Sequence, residues 1–192
     1  MQEETSAFLT RHFILNEVEG KRFPQNSERP TDNEALLVNL RSCAEKMRSI
    51  FEKTNMLTRL KLVDVSDKKT IDNALEAVAR RLFEESRREA TFEPDLWVYV
   101  LELLVFAGAL AEQSGDEQLV EDVVLWVTRY LNTQLLERIK RRGGWRSFNG
   151  WSDGFLRYDD GLFLSKAILG VLAGLFMSGT MLCVYHVLKS LR

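Results

Sequence analysis

From Leu96 to Ala111 the chain reads LWVYVLELLVFAGALA, sixteen residues with one charge, Glu102. A helix over this run is apolar on every side, so it cannot lie on a protein surface. The rest of the chain must therefore enclose it. Its length also fits a membrane span, but a carboxylate at the centre counts against that. Three Pro in 192 residues, together with long Leu-, Glu-, Arg- and Ala-rich stretches, oppose an all-β fold. The fold class that follows is all-α: seven to eight helices around one central apolar helix.

A second apolar run closes the chain. Ala167 to Leu188 reads AILGVLAGLFMSGTMLCVYHVL, 22 residues with no acid, Lys or Arg. As a helix it is roughly 33 Å long, enough for the ~30 Å hydrocarbon core. Lys166 precedes it, and Lys189 and Arg192 follow it. This is the pattern of a tail anchor inserted after synthesis; a buried hairpin or core helix is the bland alternative. Gly170 and Gly174 form a GxxxG pair, a weak signal for helix dimerisation. The charge divides at the same place. Residues 162–192 hold three basic residues and no acid, which leaves 23 basic and 28 acidic residues, net −5, before them. The division is a bundle over 1–161 and an anchor over 162–192, the bundle facing the cytosol. The opening MQEETSAF is acidic and has no apolar core, so no signal peptide is read. Cys43 and Cys183 fall in separate segments, which argues against a disulfide framework and for a reducing compartment.

Helical periodicity organises the remainder. Residues 2–17 carry Phe8, Leu9, Phe13 and Ile14 on one side. Gly20 to Pro30 reads as a loop. Thr31–Asp32 offer an N-cap to a helix whose Leu36, Leu40, Cys43, Met47 and Ile50 recur at spacings of 4, 3, 4 and 3. A shorter helix is expected around Leu57–Val65. Another starts at Asp67 or Thr70 and carries Ala74, Ala77, Val78, Leu82 and Phe83. After SGDEQ a helix from Leu119 to Ile139 turns Val123, Val124, Val127, Tyr130, Leu131 and Leu135 inward. Basic residues and then Gly143–Gly144 end it. Short helical pieces in WRSFNGWSDGFLRY lead towards the anchor.

No catalytic constellation emerges. Gly150-Trp151-Ser152-Asp153-Gly154 matches GxSxG, but that motif needs a preceding strand and a later His, and the later His186 lies in the anchor. It is expected to be a turn between short helices. With His12 and His186 alone, and no CxxC or HExxH, no metal site is expected. No phosphate-binding Gly loop is present, so no cofactor is expected either. Arg138, Lys140, Arg141 and Arg142 form a basic cluster, which in an acidic domain reads as a helix end more than as a nucleic-acid surface. The chain is read as no enzyme and no nucleic-acid binder.

Three segments, in order, resemble the homology motifs of the Bcl-2 family of apoptosis regulators. Leu36…Leu40-Arg41-Ser42-Cys43-Ala44-Glu45-Lys46-Met47 is similar to the third motif, with Ala44-Glu45 in place of its Gly-Asp pair. Trp97-Val98-Tyr99-Val100-Leu101 through Phe106-Ala107-Gly108 is similar to the first. Arg142-Gly143-Gly144-Trp145 with Phe148 is similar to the second. The N-terminal helix is only loosely like the fourth. The first motif departs at Leu96-Trp97-Val98-Tyr99, where the family has Asn-Trp-Gly-Arg. The family's Arg pairs with an Asp of a bound helix, a charge-assisted bond of roughly 1.5–3 kcal/mol. Tyr99 offers a neutral hydroxyl in its place.

The resemblance implies a surface groove that receives amphipathic pro-death helices. Its lining is expected from Met47, Ile50, Phe51, Val78, Leu82, Phe83, Trp97, Tyr99, Leu101 and Phe106. Tyr99, Met47 and Phe51 are favoured as ligand contacts, and Trp97 and Trp145 as structural. Trp145 and Phe148 are expected to close one end. It also implies partners among the helical members of the family, homo- or heterodimers, and an outer mitochondrial or reticulum membrane location with a possible cytosolic pool. The degraded Ala44-Glu45 pair inclines the reading to a guardian that restrains membrane permeabilisation. The Arg-Arg-Gly-Gly-Trp junction also looks like the executioners, which oligomerise and permeabilise. A membrane-anchored enzyme or a viral mimic with another task is the reading from a different class.

Overall fold

The computed structural model describes residues 2–19, 31–53, 65–85 and 95–157. Among these, six helical rods make an all-α bundle. They are α1 (Gln2–Glu19), α2 (Asp32–Lys53), α3 (Lys68–Arg80, running on through a π-helical turn Arg81–Glu85), α4 (Leu96–Ser114), α5 (Glu117–Tyr130, continued by a π-helical turn Leu131–Leu135 and the stretch Leu136–Arg141) and α6 (Arg146–Arg157). The helix expected near Leu57–Val65 lies outside the described residues, except for Val65, which is not helical. The Gly20–Pro30 loop, the 161/162 boundary and the tail anchor also lie outside them.

Short polar signals fix where the rods begin. Thr31 and Glu34 cap α2 reciprocally: the Glu34 carboxylate accepts from the Thr31 N–H (2.6 Å), and the Thr31 hydroxyl accepts from the Glu34 N–H (3.3 Å). Asp67 accepts from the N–H of Thr70, Asp95 from that of Trp97 and Asp116 from that of Leu119, at the starts of α3, α4 and α5. Gly115, in the left-handed region at φ 62°, ends α4 and lets α5 fold straight back.

α4 is the axis of the bundle. Of the sixteen residues Leu96–Ala111, only Phe106 and Ala109 are even partly exposed. The helix is long and apolar enough to cross a membrane, yet 78% of that window is enclosed by protein. α1, α2, α3 and α5 all pack on it. α1 runs beside it in the same direction. The start of α1 meets Trp145, whose ring lies on Trp97, and Phe13 and Glu17 reach Gly108. A Cβ on Gly108 would stand 3.0 Å from the Glu17 side chain, so glycine sets how closely the two helices approach. Glu17 is also ion-paired with Arg48 of α2.

The inward stripes largely follow the sequence. Leu9, Phe13 and Ile14 of α1 are buried, with Phe8 packed against the core. Leu36, Leu40, Cys43 and Met47 of α2 are buried, and Ile50 is half-buried. Val123, Val124, Val127, Leu131 and Leu135 are buried, whereas Tyr130 is only half-buried. The π turn at Leu131–Leu135 was not legible from spacing.

One expectation is overturned. Gly150–Gly154 is no turn between short helices but the middle of α6. Phe148, Trp151 and Phe155 recur at spacings of three and four and stack along the helix at 5.3 and 4.8 Å between centroids. That aromatic ridge outweighs the loop preference of Gly150 and Gly154, where a Cβ would meet open space. Ser152 is buried, and its hydroxyl donates to the Asn149 carbonyl at 2.8 Å. A hydroxyl turned into its own helix is not a nucleophile.

Candidate functional site

Two opposite faces of α4 have different duties. Trp97, Leu101, Leu104 and Gly108, spaced by four, three and four, form the face towards α1. Trp97 packs on Trp145 at 5.3 Å and edge-on to Phe148 at 5.4 Å. Gly143 and Gly144, both left-handed at φ 96° and 72°, end the α5 rod and deliver Trp145 to this place. The Trp145 backbone N–H donates to the Gln2 side-chain oxygen (3.1 Å), and the indole N–H donates to the Ser6 hydroxyl (2.9 Å). The Gly-Gly-Trp segment is thus a structural lock joining α1, α4 and α6. Gly144 is held twice over, because a Cβ there would also stand 2.6 Å from the Gln2 amide nitrogen. Gly144→Ala is expected to cost about 1–2 kcal/mol from the left-handed backbone alone, measured as a lower denaturant midpoint. An unchanged midpoint would show that the turn relaxes freely.

The other face carries Tyr99, Glu102, Phe106 and Ala109, spaced by three, four and three. It holds both of the partly exposed positions of the run. Tyr99 is buried and meets Phe83 edge-on at 5.9 Å. Phe83, in the π turn after α3, also contacts Tyr130 at 5.8 Å and carries the Arg138 guanidinium over its ring at 5.7 Å. Glu102 is 4% exposed, and neither carboxyl oxygen has a hydrogen-bond partner among the described residues. Burial pushes its carboxyl up to about 8.

The residues expected to line a groove are therefore distributed as follows. Met47, Phe51, Val78, Leu82, Phe83, Trp97, Tyr99 and Leu101 are buried, and Ile50 and Phe106 are half-buried. Phe83 and Tyr99 are in contact, and Tyr99 shares its face with Phe106. Trp97 and Leu101 lie on the opposite, α1-facing stripe. Glu102 was absent from the expected lining. Its signal was a lone charge in the apolar run, three residues from Tyr99 and four from Phe106.

The third-motif segment lies inside the bundle. Leu36, Leu40, Cys43, Ala44 and Met47 are buried, while Val38 and Glu45 are exposed. α6 is pinned to α2 by Lys46 donating to the Phe155 carbonyl (3.0 Å), by an Asn39–Asn149 side-chain bond (2.9 Å) and by Arg146–Asp32 (2.9 Å). Burial raises the Cys43 thiol to about 12, which keeps it protonated and unreactive. Of the basic cluster, Arg138 lies on Phe83, and Lys140 pairs with Glu137 at 2.8 Å. Among the described residues no group of His, Cys, Asp and Glu is arranged to hold a metal.

An apolar helix sheathed by other helices, with two of its side chains partly exposed along one face, defines an all-α bundle with a central apolar helix. The sequence matches the profile of the apoptosis regulator proteins of the Bcl-2 family over residues 40–145, from Leu40 of the third motif to Trp145 of the second. That is more than half of the chain, which belongs to the Bcl-2 family. Proteins of this family are non-enzymatic regulators that interact with one another and act at mitochondrial membranes. The fold is similar to that in the crystal structure of chicken BOK, with a TM-score of 0.60 and 18% identity. The match covers 79% of this chain and 98% of that one. At such identity the likeness is one of fold. No curated protein sequence matches the chain significantly.

Proposed function

We propose that this chain binds amphipathic pro-death helices on the Tyr99–Ala109 face of α4 and thereby restrains permeabilisation of the outer mitochondrial membrane. The observation that carries the reading is where α4 surfaces. Phe106 and Ala109 are partly exposed on one face of an otherwise enclosed helix, as an anchor site for an i, i+3, i+4, i+7 apolar stripe requires. Met47, Ile50, Phe51, Val78, Leu82 and Phe83 supply the flanking apolar side chains. Ala44-Glu45 in place of the third motif's Gly-Asp pair supports the guardian role, because an executioner must insert that segment into a neighbour's groove. In this reading Ala167–Leu188 anchors the protein on the mitochondrial or reticulum membrane, and dimers form with other family members.

The executioner role is the second reading, kept by the Arg141-Arg142-Gly143-Gly144-Trp145 junction. Dye release from liposomes separates the two. The full-length chain is expected to suppress release caused by a family executioner; release by the chain alone, with an activating helix, would reverse the assignment. Titration of fluorescent pro-death helices is expected to give saturable binding. A lack of affinity for every such peptide would remove the docking face.

A further inference from the structure

Glu102 presents a problem that the packing of the bundle does not solve. A carboxyl group that is 4% exposed, with both oxygens unpartnered among the described residues, destabilises the protein that carries it. Any apolar residue of similar volume would fill the site better. It sits mid-run on the central helix, on the face with Tyr99, Phe106 and Ala109, where α4 comes nearest to the surface. Tyr99, one turn earlier, brings no charge. The guanidinium near this face, that of Arg138, lies on the Phe83 ring and makes no bond to the Glu102 oxygens. The face therefore has an apolar lining and one uncompensated acid.

We propose that Glu102 reads a cation on the docked helix: the partner is an amphipathic helix with a Lys or Arg within its apolar stripe, whose ammonium or guanidinium pairs with the Glu102 carboxylate. The proposal rests on the helix-docking reading above and adds the charge of the partner. Three physical terms favour it. The bound helix excludes water, so the pair forms in a low-dielectric site where a charge-assisted bond is strong. The carboxyl already lies out of water in the free protein, where burial holds it protonated, and it gives up that proton to solvent as the cation arrives to pair with it. A partner that offers Asp or Glu at this place adds a second buried acid with no cation to offset it, and one that offers Leu leaves the Glu102 carboxyl unpaired. The selectivity is thus for a basic helix over an acidic one.

The test uses the full-length chain and a set of labelled helical peptides. All carry Leu at i, i+4, i+7 and i+11, with one anchor at a time replaced by Lys, Glu or left as Leu. In one register the Lys peptide is expected to bind at least ~10-fold tighter than the Glu peptide. Glu102→Gln is expected to bring the two within about twofold while leaving the all-Leu peptide bound. Glu102→Met, an apolar replacement of similar length, is expected to do the same and guards against a folding defect in the first variant. A Lys preference that survives both variants would overturn the proposal, as would binding of the all-Leu peptide with no charge preference in any register. Failure of every peptide to bind, all-Leu included, would overturn the docking face itself and this inference with it.

Discussion

Replacing Trp145 by Ala is expected to destabilise the bundle by about 3–5 kcal/mol, lowering the thermal midpoint by roughly 6–20 °C. The indole is 1% exposed and fills the space between the N-terminus of α1 and the start of α4. Removing it deletes the 5.3 Å contact with Trp97 and leaves the Ser6 hydroxyl without its buried donor. The damage is expected to spread to α1, because the lost indole N–H is the one that ties Ser6 to this residue, and the backbone N–H bond to Gln2 alone remains. Trp145→Phe separates the contributions: it keeps most of the ring packing and loses the indole donor, with a smaller loss of about 1–2 kcal/mol expected. Thermal or denaturant melts of the two variants against the parent are the measurement. A loss below about 1 kcal/mol for Trp145→Ala would mean that the lock between α1, α4 and α6 does not hold the fold.

The second large effect is one of pH. The Glu102 carboxyl is raised from 4.5 to about 8 by burial, so the folded protein keeps a proton that the unfolded chain releases between those values. Folding then takes up a proton in that window, and stability must fall as pH rises through it. The contribution is fully present below pH 4.5. About 5 kcal/mol is lost by the upper end of the range from 4.5 to about 8. Glu102→Met is expected to remove this slope and to be several kcal/mol more stable than the parent near pH 8. Urea unfolding of both proteins from pH 4 to pH 9, read as a difference, isolates the one carboxyl from the other titrating groups. Parallel curves would show that the folded protein solvates Glu102.

These two residues mark different degrees of legibility. Trp145 stood out in the sequence because two glycines preceded it and a Phe followed, and its place as a structural residue follows from the left-handed pair that only Gly-Gly adopts easily. The central helix, the α2 stripe and the α5 stripe were equally plain, since an apolar run or a 3.6-residue period states its own burial. The caps at Thr31 and Asp67 were legible too, because one side-chain oxygen and a nearby N–H suffice. Gly150–Gly154 misled for the opposite reason. Two glycines and an Asp signal a turn locally, and the competing aromatic ridge is spread over Phe148, Trp151 and Phe155.

The sequence alone determined that the chain is helical, that Leu96–Ala111 lies at its centre, and that its motifs fall in the order of the Bcl-2 family. Those properties depend on spacing and hydropathy, which a linear string carries in full. Only the tertiary structure decided which side of α4 faces α1 and which comes to the surface. It set Trp97 and Leu101 on the first side and Tyr99, Glu102 and Phe106 on the second. It also showed that Glu102 finds no hydrogen-bond partner among the described residues. Pairing and burial are set by residues far apart in the chain, so no window of sequence contains them.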